Sequence, residues 1–434
     1  MSVTDHHGLE LSGASQQAVE SYQGALHAYH CYAGDAPGLV EAAIADSPGF
    51  VMAHALKAYM NLVGGNAAAM MAGFQAFEAA KALPANDREQ GHVAALGSYV
   101  AGEVRAAGRI LEDVAIAHPR DVLALQTGQL MDFLTGDSRM LRDRIGRARP
   151  QWSEGMADYH AILGMHAFGL EETALYDQAE AAGRRAIELE PRNGWAQHAV
   201  AHVLEMQDRR ADGVAWMRAD VRAWTEDSFF AVHNWWHLAL FHLGLGDVEE
   251  VLRLFDGPIY GARSDMAFDM VDAAALLWRL ELRGVDVGDR WNVLADVYAT
   301  QPRGLYAFDD AHAMMAFVGA GREAQAQALL DAQSAVLAGP GDNAMFAGDV
   351  GLPVMQAFHA FGHGDYARAV ELLRDVRGKA ARFGGSHAQR DLIDLTLIAA
   401  AARSGERSLE QALLAERAAA KPLVREGGQR LAAA

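Results

Sequence analysis

Two histidines and a glutamate, His198, His202 and Glu205, stand at i, i+4 and i+7 in the segment Trp195 to Met206, WAQHAVAHVLEM. On a helix this spacing projects all three from one face. Ala199, Val200, Val203 and Leu204 fill the opposite side. An apolar back with a titratable front marks a helix that has a ligand to hold or a proton to move. Imidazoles one turn apart can grip a divalent ion, and a carboxylate one turn further can ligate or orient it. His198, His202 and Glu205 are therefore candidate metal ligands and, without metal, candidate acid/base groups. The spacing H-x3-H-x2-E does not match the HExxH zinc signature. The plain alternative is a satisfied polar network tying neighbouring helices together.

Further groups of the same chemical kind recur along the chain. HNWWHLALFHL carries His233, Trp235, Trp236, His237 and His242. His233 and His237 are again one helical turn apart, and the tryptophans could stack on a substrate or shift a histidine pKa. His237 is the candidate partner acid. Asp309, Asp310 and His312 open the segment DDAHAMMAF, and His387, Arg390 and Asp391 follow Ser386 in GGSHAQRD. Ser386 has the chemistry of an N-cap, and Arg390 that of a bidentate clamp on an anion. A weak surface pair between Arg390 and Asp391 is the competing reading. The isolated His54, His92, His160 and His166 read as structural, Cys31 as an inert buried thiol, and Met70, Met71, Met314 and Met315 as core filler. No phosphate-cradling P-loop and no GxSxG nucleophile elbow occurs.

The elements that must hold these groups are helices. Ala, Leu, Glu, Arg and Gln dominate, and Val, Ile and Thr form no alternating runs, so the expected fold class is all-α without a sheet. A unit of helix, short turn, helix and proline recurs, with the turn often written Gly-Asp, as at Gly246-Asp247 and Gly364-Asp365. Aligned on Pro119, Ala107 and Leu111 fall on the small and large apolar positions of a tetratricopeptide pattern; Ala179, Ala186 and Pro191 do so in the next unit. The expected architecture is an α-α superhelix, a solenoid of tetratricopeptide-like helix pairs. It would form one continuous domain over residues 1–420 with a frayed tail at 421–434. The stretch 257–300 is the least repeat-like, and 339–343 reads as a loop.

WAQHAVAHVLEM, HNWWHLALFHL, GMHAFGLEE, DDAHAMMAF and GGSHAQRD together resemble the tetratricopeptide repeat protein 38 family. The resemblance spans most of the chain, and its motifs are specific as a set. It implies the superhelix and supplies no activity to carry over. In such repeats, first-helix positions line the concave groove. Repeat phase then puts Trp195, His198, His202 and Glu205 there, followed by His233 and Trp236, with Glu89 and His92 upstream. The periodicity of the helix and the phase of the repeat select the same face.

Bulk properties narrow the function. The chain has 434 residues, 51% of them hydrophobic, and a formal net charge of -19. Such acidity with no basic stripe argues against nucleic acid as a partner. No apolar run reaches the roughly 18 residues a membrane span needs. The N-terminus lacks the basic and apolar regions of a signal peptide. Cys31 is the sole cysteine, which excludes an internal disulfide and suits a reducing, cytoplasmic setting. The expected function is an enzyme, a hydrolase or lyase, built in the concave groove. It would act on a small polar or anionic molecule by general acid/base chemistry, with or without one divalent metal ion. His198, His202, Glu205 and His237 would be catalytic. Trp195, His233, Trp236, Asp310, His312, His387, Arg390 and Asp391 would bind substrate. The alternative is a non-catalytic scaffold holding a peptide or protein along the groove; a homodimer through an end repeat is compatible with either.

Overall fold

A computed structural model describes residues 3–63 and 67–420. The tail expected to fray at 421–434 lies outside the described residues. The protein is all-α: helices succeed one another from Gln16–Cys31 to Arg407–Ala420. Among the described residues no helix is long and apolar enough to cross a membrane. The Gly-Asp turns have a double cause. Gly136, Gly246 and Gly364 adopt φ of +68°, +82° and +77°, a left-handed conformation that ends a helix at little cost for glycine. The following Asp137, Asp247 and Asp365 then accept a backbone N–H of the next helix and start it. The segment after Met206 is less simple than one helix. Asp220 interrupts it, accepting the Ala223 N–H, so Arg210–Ala219 and Val221–Thr225 form separately.

The chain forms two compact units. The first comprises residues up to Val203 together with Met217–Asn234; the second comprises Leu204–Trp216 and residues from Trp235 onward. The division falls inside the helices Gly194–Met206 and Ala231–Leu245, so no linker composition announces it. Within the first unit successive helices pack on each other, among them Val51–Leu62 on Ala67–Lys81 and Tyr159–Glu171 on Tyr176–Leu189. Phe50, Leu56, Tyr59, Leu96 and Phe168 are buried in its core, and so are the small residues Ala107, Ala179 and Ala186. Gly183 lets Tyr176–Leu189 approach Gly194–Met206: a Cβ there would stand 2.5 Å from Val200 Cγ2. In the second unit Leu352–Gly362 packs on Tyr366–Val376, and Trp278 donates its indole N–H to Thr396 Oγ1 at 2.9 Å.

One small element departs from the all-helical expectation. Val3–Thr4 pairs antiparallel with Glu10–Leu11. Two residues of pairing are too few to leave an alternating pattern in the sequence. The turn between them is set by Asp5, whose Oδ1 accepts the N–H groups of His7 and Leu9, both at 2.9 Å, and by Gly8 at φ +79°. A buried charge network ties the ribbon down. Arg88 donates to the Glu10 carbonyl at 2.8 Å and to Asp121 Oδ2 at 2.7 Å, and His92 Nε2 lies 3.0 Å from the same oxygen. Glu89 accepts the Ser12 N–H at 2.8 Å. Burial by itself would raise the Asp121 carboxyl; His92 and Arg88 outweigh it and hold the group well below the usual carboxylate range. His92 thus serves this network.

Removing one partner from a buried pair strands the other's charge. Asp121→Ala is expected to destabilise the first unit by about 3–5 kcal/mol. Urea unfolding measures this, and hydrogen exchange should rise first in the 3–11 ribbon. A loss below about 1 kcal/mol would mean that Arg88 is held by its other contacts.

Candidate metal centre

The helix Gly194–Met206 is started by Asn193. Its Oδ1 accepts the Ala196 N–H at 2.9 Å, and its Nδ2 donates to the His160 carbonyl at 3.2 Å and lies 3.0 Å from His160 Nδ1. A single side chain therefore caps the helix and pins it to Tyr159–Glu171. Burial pushes His160 down to about 4. At neutral pH it is the uncharged imidazole, able to accept from the Asn193 amide.

From this fixed start the helix presents His198 and His202. The His198 Nε2 lies 3.1 Å from His233 Nε2, and the His198 and His202 ring centroids are 4.3 Å apart. Each of the three offers a ring nitrogen within 4.8 Å of the others. They are 2%, 0% and 3% exposed for His198, His202 and His233. His237 lies one turn beyond His233 on the same helix, Ala231–Leu245, and belongs to the second unit. Phe168 stacks on His198 at 5.4 Å and meets His202 edge-on at 5.5 Å; Trp195 lies 5.0 Å and Phe230 5.0 Å from His198. Those rings keep water out and lower the local dielectric, which strengthens any ion–ligand interaction inside.

A carboxylate that the sequence reading did not nominate completes the group. Glu171, 0% exposed, lies with Oε2 3.5 Å from His202 Nδ1. A carboxylate behind an imidazole fixes the ring and raises its basicity toward a metal on the other nitrogen. Phe168 and Glu171 are i and i+3 on Tyr159–Glu171, so one helix supplies both wall and carboxylate. The available signal was a glutamate ending a run in which almost every residue is apolar.

Glu205 is placed elsewhere, and the proposed ligand set changes accordingly. It is half-buried and lies outside the ligating groups found among the described residues. Its electrostatic neighbours are Arg279, Arg283 and Arg417 of the second unit. Seven residues advance the helix roughly 10 Å along its axis, too far to share an ion with His198.

The remaining candidates, Asp310, His312, His387, Arg390, Asp391 and Trp236, belong to the second unit. Asp310 Oδ2 accepts the Gly304 N–H at 2.8 Å and the Gln333 amide. His312 Nδ1 bonds the Phe308 carbonyl at 2.9 Å, and burial pushes it down to about 4. Ser386 caps His387–Ser404 as expected, with Gln389 completing a capping box. Arg390 donates to the Gly385 carbonyl rather than standing ready for an anion. Asp391 is held by both Arg417 guanidinium nitrogens, one at 2.9 Å. Trp236 is fully buried, with its ring 4.9 Å from His237 and 5.3 Å from the Arg279 guanidinium. No protein-family model matches the chain.

Asp310 provides a pH test of the internal role. Burial raises its pKa to about 6, against the opposing bonds from Gly304 and Gln333. A raised folded pKa gives stability that is complete below the unfolded value near 4 and is lost as pH rises through about 6. At two pKa units the loss is about 3 kcal/mol. Asp310→Asn keeps an acceptor without the charge. It should match the wild type near pH 4 and exceed it at pH 7.5 by up to that amount in chemical denaturation. Equal pH profiles for the two proteins would refute the assignment.

Proposed function

We propose that the chain is a metal-assisted enzyme of the hydrolase or lyase type, built on an α-α superhelix of tetratricopeptide-like repeats similar to the tetratricopeptide repeat protein 38 family. The helix pairs with Gly-Asp turns and buried small residues support the repeat reading. One observation carries the functional reading: His198, His202 and His233 bring three imidazole nitrogens together inside an aromatic wall, with Glu171 behind His202. An all-imidazole set favours zinc or another late first-row ion over magnesium or calcium. Three protein ligands would leave a position open for water, and an ion held there would supply a water acidic near neutral pH. The chain's own residues would hold the ion, orient His202 and exclude bulk water.

The substrate is a small polar or anionic molecule. A narrow pocket lined by His30, Tyr32, Gln126, Asn193 and Trp195 adjoins the centre through the Trp195 ring. His30 Nε2 and Trp195 Nε1 are buried there without a protein partner. They are a donor or acceptor and a donor for such a molecule. The acidic charge and the single cysteine, Cys31, support an intracellular protein that avoids nucleic acid.

A second reading is favoured by the burial of all the imidazoles. With no coordination position left open to solvent the site would be structural. Elemental analysis and thermal melts separate the two. The enzymatic reading expects about one zinc-class ion per chain, and its loss in His198→Ala/His202→Ala with little change in melting temperature. Loss of both ion and melting temperature in that double variant would establish the structural site instead. Absence of any ion, with the double variant as active as the wild type, would end both.

A further inference from the structure

Three histidines from two distant stretches meet one carboxylate in the first unit, and the function proposed above uses none of them. The turn of the N-terminal ribbon offers His6 and His7, whose Nε2 atoms each lie 3.0 Å from Asp158 Oδ2. His27, on the helix Gln16–Cys31, brings Nδ1 to 3.9 Å from Asp158 Oδ1. The donors of His6, His7 and Asp158 all lie within 4.8 Å of one another.

The arrangement is built, not incidental. Asp158 immediately precedes Tyr159–Glu171, where an aspartate would ordinarily cap the helix. It makes no such cap: its backbone is left-handed at φ +59°, and its carboxylate is given to the histidines. His7 packs edge-on against Trp152 at 4.8 Å, and the Asp5 side chain braces the turn that carries it. The side chains of His7 and Asp158 are 2% and 3% exposed, while those of His6 and His27 are 31% and 51% exposed. One side of the cluster is therefore fixed in the protein and the other faces water.

We infer that His6, His7 and Asp158 form a second metal site, for a divalent first-row transition ion, with its open coordination positions facing solvent beside His27. Two imidazoles and one carboxylate leave such positions for water or a small anion, and this donor mixture suits iron, manganese, cobalt or zinc. Donors each about 2.1 Å from one ion and at right angles are about 3.0 Å apart. The two His–Asp separations match that spacing. The inference is independent of the His198 centre, because the two share no residue.

Cobalt titration of the full-length chain after dialysis against a chelator tests it, read by visible absorption and by heat. Binding of two ions per chain is expected. His6→Ala/His7→Ala should lose one and keep the other; His198→Ala/His202→Ala should do the reverse. Asp158→Asn should weaken the same site at least tenfold. If Asp158→Asn does not fold, His6→Ala at the exposed rim gives the same reading. Should the His198 centre take up no cobalt, one ion that disappears in His6→Ala/His7→Ala still supports the inference. Wild-type stoichiometry and affinity in His6→Ala/His7→Ala, or no cobalt bound to the wild type, overturns it.

Discussion

An imidazole taken out of water is costly unless its ring nitrogens find partners, and much of the polar architecture of the first unit answers that cost. A buried polar atom left without a partner costs on the order of 1–3 kcal/mol. The protein meets the demand in several ways. His160 is met by Asn193, His92 by Asp121, and His6 and His7 by Asp158. His198 and His233 meet each other. When the partner of an imidazole is another imidazole, one proton must be shared or a cation must stand between them. That is the step from a polar network to a metal centre.

The helices act as rulers for these meetings. A turn of helix sets His198 against His202, and a side-chain cap sets where the ruler begins. Asn193 fixes the origin of Gly194–Met206 against the His160 end of Tyr159–Glu171, and the far end of that second helix delivers Phe168 and Glu171. Gly183 brings the packing close enough for the geometry to hold. At the other edge of the same unit, Arg88, Glu89 and Asp121 hold down the ribbon that carries His6 and His7. Stability and site geometry depend on the same buried polar atoms, so the centre and its scaffold are not separable.

Local chemistry was open to reading because it depends on neighbours in sequence. The all-helical class, the Gly-Asp turns, the Ser386 cap and the shared face of His198 and His202 all follow from spacings of a few residues. The same reasoning grouped Glu205 with the two histidines without weighing its distance along the axis. It also weighed Arg390 as an anion clamp against a surface pair with Asp391, since nothing local shows that its guanidinium turns to the Gly385 carbonyl.

By itself, then, the chain determined its helices, their caps and turns, and which side chains share a face, because those are set within one or two turns of backbone. The tertiary structure alone decided that Glu171 stands behind His202, that His233 faces His198, and that His6 and His7 reach Asp158 some 150 residues away. Such meetings come from how whole helices pack, and packing is fixed by the summed fit of many apolar side chains, which no single spacing in the sequence encodes.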